Sequence, residues 1–170
     1  MEALIETLVV KSPLGHIQLT ASADALTEVK FLGQSLGGTT KNHSGSRKNS
    51  LLRKAAQELQ EYFAKERGLF TIPLSMEGTA FQKMVWKQTA AIPLGSTRSY
   101  SELAKRIGAP EARRAVGNAL GKNPLPIFVP CHRIVAEGQR LGGFTGGLEI
   151  KRWLLKHEEQ VPSERRISCS

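Results

Sequence analysis

Three prolines between residues 123 and 130 exclude an α-helix from an otherwise apolar stretch of the chain. The side chains between these prolines are of the kind that fills a core: Leu125, Ile127, Phe128 and Val129. We therefore predict a buried extended segment that leads directly to Cys131. Because successive residues of an extended chain face opposite sides, Cys131 and His132 are not expected to hydrogen-bond directly unless the chain turns, and we expect a water between them.

Cys131 and His132 together could be a nucleophile and its base. A lone free cysteine is more often a small apolar filler, and short nucleophile signatures do not transfer between protein families. The residues around Cys131 must therefore decide between these two interpretations.

The other cysteine, Cys169, lies one residue from the C-terminus in a polar tail, where a framework disulfide is not expected. We therefore predict a reducing, intracellular compartment, which is the cytoplasm, or the nucleus if the source is a eukaryote. Residues 1–10 lack the cationic start and apolar stretch of a signal peptide, and no apolar run approaches the ~18 residues of a membrane span. We expect a soluble protein with no membrane partner.

The positive charge of the chain is concentrated in its second half. The 170 residues carry a net charge of +9, and residues 79–160 contain 13 Lys and Arg but only 6 Asp and Glu. A basic segment of this kind is typical of a protein that binds a polyanion, most simply nucleic acid. A solvated basic face is the alternative.

The first half of the chain, residues 1–78, is predicted to be a small α/β domain. Three stretches rich in β-branched residues predict an antiparallel sheet, over residues 4–10, 16–21 and 26–32. Residues 33–50 are mostly Gly, Ser, Thr, Asn and Lys, which predicts a flexible loop. Apolar residues at helical spacing then predict a helix over residues 51–66 that covers the sheet and ends before Gly68.

Two capping boxes predict helices at the start of a second domain, residues 79–160. Thr79 and Gln82 are expected to begin a helix that runs to about Ala91, and Ser99 and Glu102 a second helix. The fold class predicted for the whole chain is therefore α/β with two domains, the second mostly helical. Residues 161–170 are predicted to be a disordered tail in which Cys169 is an exposed bystander.

The second of these helices is predicted to end at Gly108, and Pro110 to begin a third helix that runs to about Leu120. Two short helices across a glycine-containing turn favour a helix-turn-helix, in which the later helix, with its basic and very small residues, enters a DNA groove. An αα-hairpin within a helical core is the alternative.

Several ordered motifs between residues 79 and 158 resemble those of one family. They are Ser99-Tyr100, Arg114-Ala115-Val116-Gly117, Asn123-Pro124, Pro130-Cys131-His132-Arg133, Gly146-Gly147 and the run from Lys151 through Trp153-Leu154-Leu155 to His157-Glu158. In these motifs the chain resembles the O6-alkylguanine-DNA alkyltransferases, the methylated-DNA-protein-cysteine methyltransferases. Some members bind a structural zinc in the N-terminal half, which here has no cysteine and only His16 and His43, so we predict no metal and no cofactor.

The resemblance implies DNA repair by direct damage reversal. The alkyl group of O6-alkylguanine, and of O4-alkylthymine, would pass to Cys131, with His132 as the base and Glu158 orienting the imidazole. Tyr100 would donate a hydrogen bond to a ring nitrogen of the departing guanine. Because an S-alkyl thioether has no good leaving group, water cannot regenerate the thiol, and each molecule should act once.

The resemblance also implies that the lesion is flipped out of double-stranded DNA into a pocket. Arg114 would fill the vacated space, although Arg113 beside it leaves open which arginine does so, and Asn123 would act as a hinge. The DNA-binding residues implied are Ser99, Tyr100, Arg113, Arg114, Ala115, Gly117 and Asn118. The pocket residues implied are Tyr100, Asn123, Cys131, Ile134, Phe144, Thr145 and Gly146. No obligate protein partner is implied, and cooperative self-association on DNA is left open.

Two other functions remain as alternatives. A cysteine hydrolase also uses a cysteine, a histidine and an acid, but it turns over and leaves the basic helices unexplained. A DNA-binding regulator or lesion sensor would use the basic helices and have no need of the thiol of Cys131.

Overall fold

The computed structural model describes residues 4–34 and 49–166, which belong to two compact units, Met1–Met76 and Glu77–Ser170. Residues 35–48, which are most of the predicted flexible loop, lie outside the described residues, as do residues 167–170 with Cys169. Within the described part of the chain, every helix is too short or too polar to cross a membrane.

The first unit contains the predicted antiparallel sheet. Its strands are β1 (Glu6–Ser12), β2 (Gly15–Ala21) and β3 (Leu26–Gly33), paired in that order. The tight β1–β2 turn includes Gly15, whose φ of 91° favours glycine.

The helix of the first unit is α1 (Ser50–Phe63), which buries an apolar stripe that includes Leu52 and Leu59. It ends earlier than the predicted residue 66. Lys65 adopts a left-handed φ of 62°, and the Glu66 N–H donates to the Glu61 carbonyl, which is the Schellman arrangement. The expectation that Gly68 ends the helix was wrong because a lysine takes the role usually given to glycine.

The second unit is mostly helical. Its helices are α2 (Ala80–Ala90), α3 (Tyr100–Arg106), α4 (Arg113–Gly121) and α5 (Leu148–Glu159), and two short strands, β4 (Arg98–Ser99) and β5 (Ile134–Val135), pair in parallel. Both predicted capping boxes are present, Thr79 with Gln82 and Ser99 with Glu102. The buried Trp86 of α2 donates its indole N–H to the Ala119 carbonyl (2.8 Å), which ties α2 to α4.

Helix α4 begins three residues later than predicted. Pro110 lies instead in a turn closed by a hydrogen bond from the Ala112 N–H to the Ala109 carbonyl (2.9 Å). Proline is favoured at the second position of such a turn, which competes with its preference for the start of a helix. The helix therefore starts at Arg113, with no side-chain cap.

The proline-rich segment before Cys131 is buried as predicted, but it is not extended. The Val129 N–H donates to the Leu125 carbonyl (2.8 Å), and Ile127 has a φ of 74°. Pro130 then lies in an inverse γ-turn, closed from the Cys131 N–H to the Val129 carbonyl (2.8 Å), and Cys131–Arg133 form one 3-10 turn. The prolines exclude a helix, and the segment has local turns rather than a partner strand, so it is compact.

The first residues of the predicted disordered tail have a defined position in the structure. Ser163–Arg165 form a 3-10 turn, and the buried Val161 accepts a hydrogen bond at its carbonyl from the Arg166 Nε (2.8 Å). Arg166 also donates to the Glu159 carbonyl at the end of α5. A polar composition predicted disorder, but one arginine satisfies carbonyls that the helix end leaves without partners.

Candidate active site

Cys131 is 6% exposed and begins the 3-10 turn that follows Pro130. Burial raises the pKa of its thiol, while the Asn123 side chain, the charge of Lys151 and nearby backbone N–H groups act in the opposite direction. The net direction is upward, so the thiol of the free protein is neutral near pH 7.

Glu158 of α5 lies against both His132 and Arg133. Its carboxylate is 2.7 Å from the His132 Nε2 and accepts two hydrogen bonds from the Arg133 guanidinium, each of 2.9 Å. The third arginine donor, Nη1, binds the Ile92 carbonyl (2.6 Å). All three side chains are buried, so one guanidinium, one imidazole and one carboxylate form a closed network.

The network determines the tautomer of His132. Burial lowers the pKa of the imidazole more than the Glu158 carboxylate raises it, so the ring is neutral. Burial alone would raise the pKa of Glu158, but the hydrogen bonds from His132 and Arg133 and the charge of Arg133 outweigh it and hold the pKa well below its usual range. The proton of the neutral ring therefore lies on Nε2, which donates to the carboxylate.

The other ring nitrogen, Nδ1, is left as a lone-pair acceptor. It is buried and has no hydrogen-bond partner among residues 4–34 and 49–166. With the proton on Nε2, Nδ1 is the nitrogen of His132 that can accept a proton.

Asn123 fixes the loop that precedes Cys131. Its Nδ2 donates to the Val129 carbonyl and its Oδ1 accepts from the Leu125 N–H, both at 2.9 Å. One buried amide thus closes the turn from both sides, an arrangement consistent with the hinge role that the resemblance implied.

Two cations at the site had no role in the sequence-based predictions. In the sequence, Arg133 and Lys151 were recognised only as members of motifs. The Lys151 Nζ donates to the Ile134 carbonyl (2.6 Å) and the Gly143 carbonyl (3.0 Å), and burial lowers its pKa to about 8. The available signal was spacing, because Lys151 lies three and seven residues before the buried Leu154 and Glu158, on one face of a helix.

A cavity of about 310 Å³ opens at Cys131, which is within the size range of small-molecule pockets. Four of the predicted pocket residues line it: Tyr100, Cys131, Phe144 and Thr145. The others that line it are Gly117, Leu120, Gly121 and Gly143. Phe144 also contacts the His132 ring edge-on, with a centroid distance of 6.4 Å.

Three predicted pocket residues do not line this cavity. Asn123 lies behind Cys131 in the loop already described, and Gly146 is outside the lining. Ile134 is fully buried; its N–H donates to the Cys131 carbonyl and its own carbonyl accepts from Lys151, so its backbone groups are already engaged.

Tyr100, the first residue of α3, forms one wall of the cavity. Burial raises the pKa of its hydroxyl, a hydrogen bond with the Gly143 backbone lowers it, and the negative charge of an ionised Cys131 would raise it further. A Cβ at Gly142 would lie 2.8 Å from the tyrosine hydroxyl, so this close approach requires glycine, as does the φ of 66°. The tyrosine is therefore a neutral donor at the edge of the cavity.

Helix α4 presents a basic face to solvent. Arg113, Arg114, Ala115 and Asn118 are exposed, while its opposite face is buried through Val116, Ala119 and Leu120. A wide groove of about 840 Å³ runs along the exposed face and shares Tyr100, Gly117 and Gly143 with the cavity at Cys131. Arg113, Arg114 and Asn118 line the groove, whereas Ala115 does not; Ser99 lines a neighbouring depression, and its Oγ accepts from the Glu102 N–H.

Among the residues that the structure describes, no three His, Cys, Asp or Glu side chains are grouped closely enough to hold a metal ion. The prediction that the protein needs no metal remains a prediction.

Both units match known families. Residues 80–160 match the DNA-binding domain of 6-O-methylguanine DNA methyltransferase, and residues 5–76 match the ribonuclease-like domain of the same enzyme. The constitutive methylated-DNA–protein-cysteine methyltransferase of Bacillus subtilis is 42% identical over 152 residues, which cover 87% of this chain and 92% of that protein.

Solved structures agree with these matches. The crystal structure of the O6-methylguanine methyltransferase of Mycobacterium tuberculosis is 38% identical, with a TM-score of 0.80 over 94% of this chain and 96% of that one. The OGT of the same organism, in complex with DNA, is 38% identical with a TM-score of 0.77 over 92% of this chain and 94% of that one. The similarity therefore covers both units.

Proposed function

Because the chain belongs to the 6-O-methylguanine DNA methyltransferase family and repairs DNA by direct reversal, we propose that Cys131 is the cysteine that accepts the alkyl group. The observation that carries this proposal is that one cavity is lined by a buried thiol, a neutral tyrosine hydroxyl and an aromatic ring. The substrate class is O6-alkylguanine in double-stranded DNA, with O4-alkylthymine as a second substrate.

The reaction forms one bond and breaks one. The thiolate sulfur of Cys131 attacks the alkyl carbon, a C–S bond forms, and the bond between that carbon and the guanine O6 breaks with its electron pair. The products are an S-alkyl cysteine and guanine, whose ring nitrogen gains the equivalent of the proton that the thiol loses, so atoms and charge balance. No cofactor enters this balance.

The thiol proton passes to the Nδ1 of His132 through a water. The charged imidazole that results is stabilised by the Glu158 carboxylate 2.7 Å from the other ring nitrogen. Arg133, held to the same carboxylate by two hydrogen bonds, is a positioning residue that fixes the carboxylate. The charge of Lys151 favours the thiolate directly.

The damaged base enters the cavity only after it leaves the duplex, at a cost of a few kcal/mol for unstacking. The Tyr100 hydroxyl donates to a ring nitrogen of the departing guanine. Arg114 lines only the groove beside Tyr100, so it is the arginine that we assign to the vacated space. Arg113 lines both this groove and the neighbouring depression, and we assign it to a backbone phosphate. The remaining groove contacts come from Gly117 and Asn118.

The protein works inside the cell on alkylated DNA and needs no obligate protein partner. Cooperative self-association of neighbouring copies on one duplex is left open by the sequence and is decided by experiment. Native gels at rising protein concentration, run with long and with short duplexes, measure cooperativity. Binding curves that do not depend on duplex length would exclude it.

A mass measurement tests the central proposal. The protein is incubated with excess duplex containing O6-methylguanine, and we expect a gain of one methyl group, located on Cys131 by peptide mapping. Cys131→Ser should bind the duplex without any adduct. Turnover beyond one methyl per protein would instead support a hydrolase, and binding by the wild-type protein without an adduct would support a lesion sensor. The same measurement on a duplex that contains O4-methylthymine tests the second substrate.

A further inference from the structure

Glu137 is an acidic side chain on the basic surface. It lies on the tight turn after β5, where the Ala136 N–H donates to the Arg140 carbonyl (2.7 Å). Two depressions meet at this turn, the groove along α4 and a neighbouring one of about 490 Å³, and Glu137, Ser101 and Arg113 line both. One exposed carboxylate therefore lies at the border of the surface that faces DNA.

The groups around this carboxylate are those that bind phosphate. The Ser101 hydroxyl and then the Ser99 hydroxyl hold the pKa of Glu137 below its usual range through hydrogen bonds, and the charges of Arg113 and Lys105 lower it further. The Ser99 Oγ already accepts from the Glu102 N–H, which leaves its own O–H to donate. Ser99, Ser101, Lys105 and Arg113 line the same depression as Glu137, so two hydroxyls and two cations surround one anionic group.

Backbone phosphates of DNA are bound by the same residue types, arginine, lysine and serine. We propose that in the free protein the Glu137 carboxylate occupies the site of a DNA backbone phosphate, and that the duplex must displace it. This inference rests on the proposed DNA-binding face. The displaced carboxylate weakens binding to every duplex, damaged or not, which limits the time that a single-use protein spends on intact DNA.

Simple repulsion is a different explanation for weaker DNA binding, since the negative charge of any acidic residue near DNA repels the phosphates at long range. The two explanations differ in what they require of Arg113. Displacement acts by freeing the groups around Glu137 for a phosphate, and Arg113 is one of them, so its effect is smaller when the arginine is absent. Repulsion acts on the DNA directly and is independent of the arginine.

The test measures binding to an undamaged duplex by fluorescence anisotropy. Glu137→Gln should bind about two- to fivefold more tightly than the wild type, the range expected when one exposed charge interaction is removed. Glu111→Gln is the matched control, because Glu111 lines only the groove and its replacement removes the same charge. Glu111→Gln should increase the affinity for the undamaged duplex by less than Glu137→Gln does.

A double-mutant cycle completes the test. In an Arg113→Ala background, Glu137→Gln should increase the affinity for the duplex by less than it does in the wild-type background. Two results would overturn this inference while leaving the proposed function intact. One is an equal increase in affinity from Glu137→Gln and Glu111→Gln, and the other is an undiminished increase from Glu137→Gln in the Arg113→Ala background. A wild-type protein that does not bind DNA would overturn the proposed function together with it.

Discussion

Replacement of Glu158 by glutamine is expected to destabilise the second unit strongly. The side chain is 1% exposed and is the shared acceptor of His132 and Arg133. Glutamine has nearly the same shape but no charge, so the buried guanidinium would lose its counterion. Breaking a buried ion pair by removing one partner costs about 3–5 kcal/mol.

This cost is large relative to the total stability of a domain, which is about 5–15 kcal/mol. For a unit of this size each kcal/mol lowers Tm by about 4–8 °C, so we expect a fall of about 12–40 °C. Circular dichroism during heating measures it. Glu159→Gln is the matched control, since the side chain of Glu159 is exposed and its replacement should leave Tm within a few degrees of the wild type.

The acid dependence of stability provides a second measurement. Because the folded pKa of Glu158 is lowered, its contribution is fully present above the unfolded carboxyl pKa of about 4.3 and is lost as pH falls towards the folded value. Wild-type stability should therefore decline over this acidic range, and Glu158→Gln should show less of the decline.

The result that would refute the reasoning comes from a double variant. If the unpaired Arg133 charge causes the loss, Arg133→Met combined with Glu158→Gln should recover at least about 1 kcal/mol relative to Glu158→Gln alone. A double variant less stable than the single one, or a single variant within 1 kcal/mol of the wild type, would show that the network does not carry this energy.

Three further changes test other parts of the site. Asn123→Ala leaves two buried backbone groups without partners and should cost about 2–4 kcal/mol by urea denaturation; a loss below ~0.5 kcal/mol would contradict the hinge assignment. Gly142→Ala should displace Tyr100 and slow alkyl transfer by about 10- to 100-fold, whereas Gly108→Ala, with a similar positive φ but no atom within 4 Å, should leave the rate near wild type. Reaction of Cys131 with iodoacetamide should increase with pH, with a midpoint above the ordinary thiol value of ~8.5, and a plateau near neutral pH would contradict the raised pKa.

The sequence was most informative where the interactions are local. The capping boxes at Thr79 and Ser99 satisfy backbone groups within three residues, so the residue types alone predict the hydrogen bonds that the structure contains. The predicted start of α4 was wrong for a related reason. Pro110 suits both a helix start and a turn, and only the hydrogen bond across that turn decides between them.

The roles of Arg133 and Lys151 could not be predicted from local pattern. Arg133 pairs with Glu158 across 25 residues, and Lys151 binds the Ile134 carbonyl across 17. Charged residues are mostly exposed, so a single sequence favours a solvated lysine or arginine at such positions. Their burial depends on which elements pack together, and that is a property of the tertiary fold.

Burial also explains how a protein can keep a reactive thiol for one substrate. Burial raises the pKa of Cys131 and lowers that of His132, so both shifts oppose transfer of a proton from the thiol to the imidazole. The Glu158 carboxylate and the charge of Lys151 offset part of this cost without making the free thiol ionised. The thiolate is then scarce in the resting protein, and it is consumed only when an alkyl carbon lies in the cavity against the sulfur. For the single-use acceptor that we propose Cys131 to be, a low resting reactivity protects the thiol from other alkylating agents, while the cavity supplies the orientation that makes the proposed transfer fast.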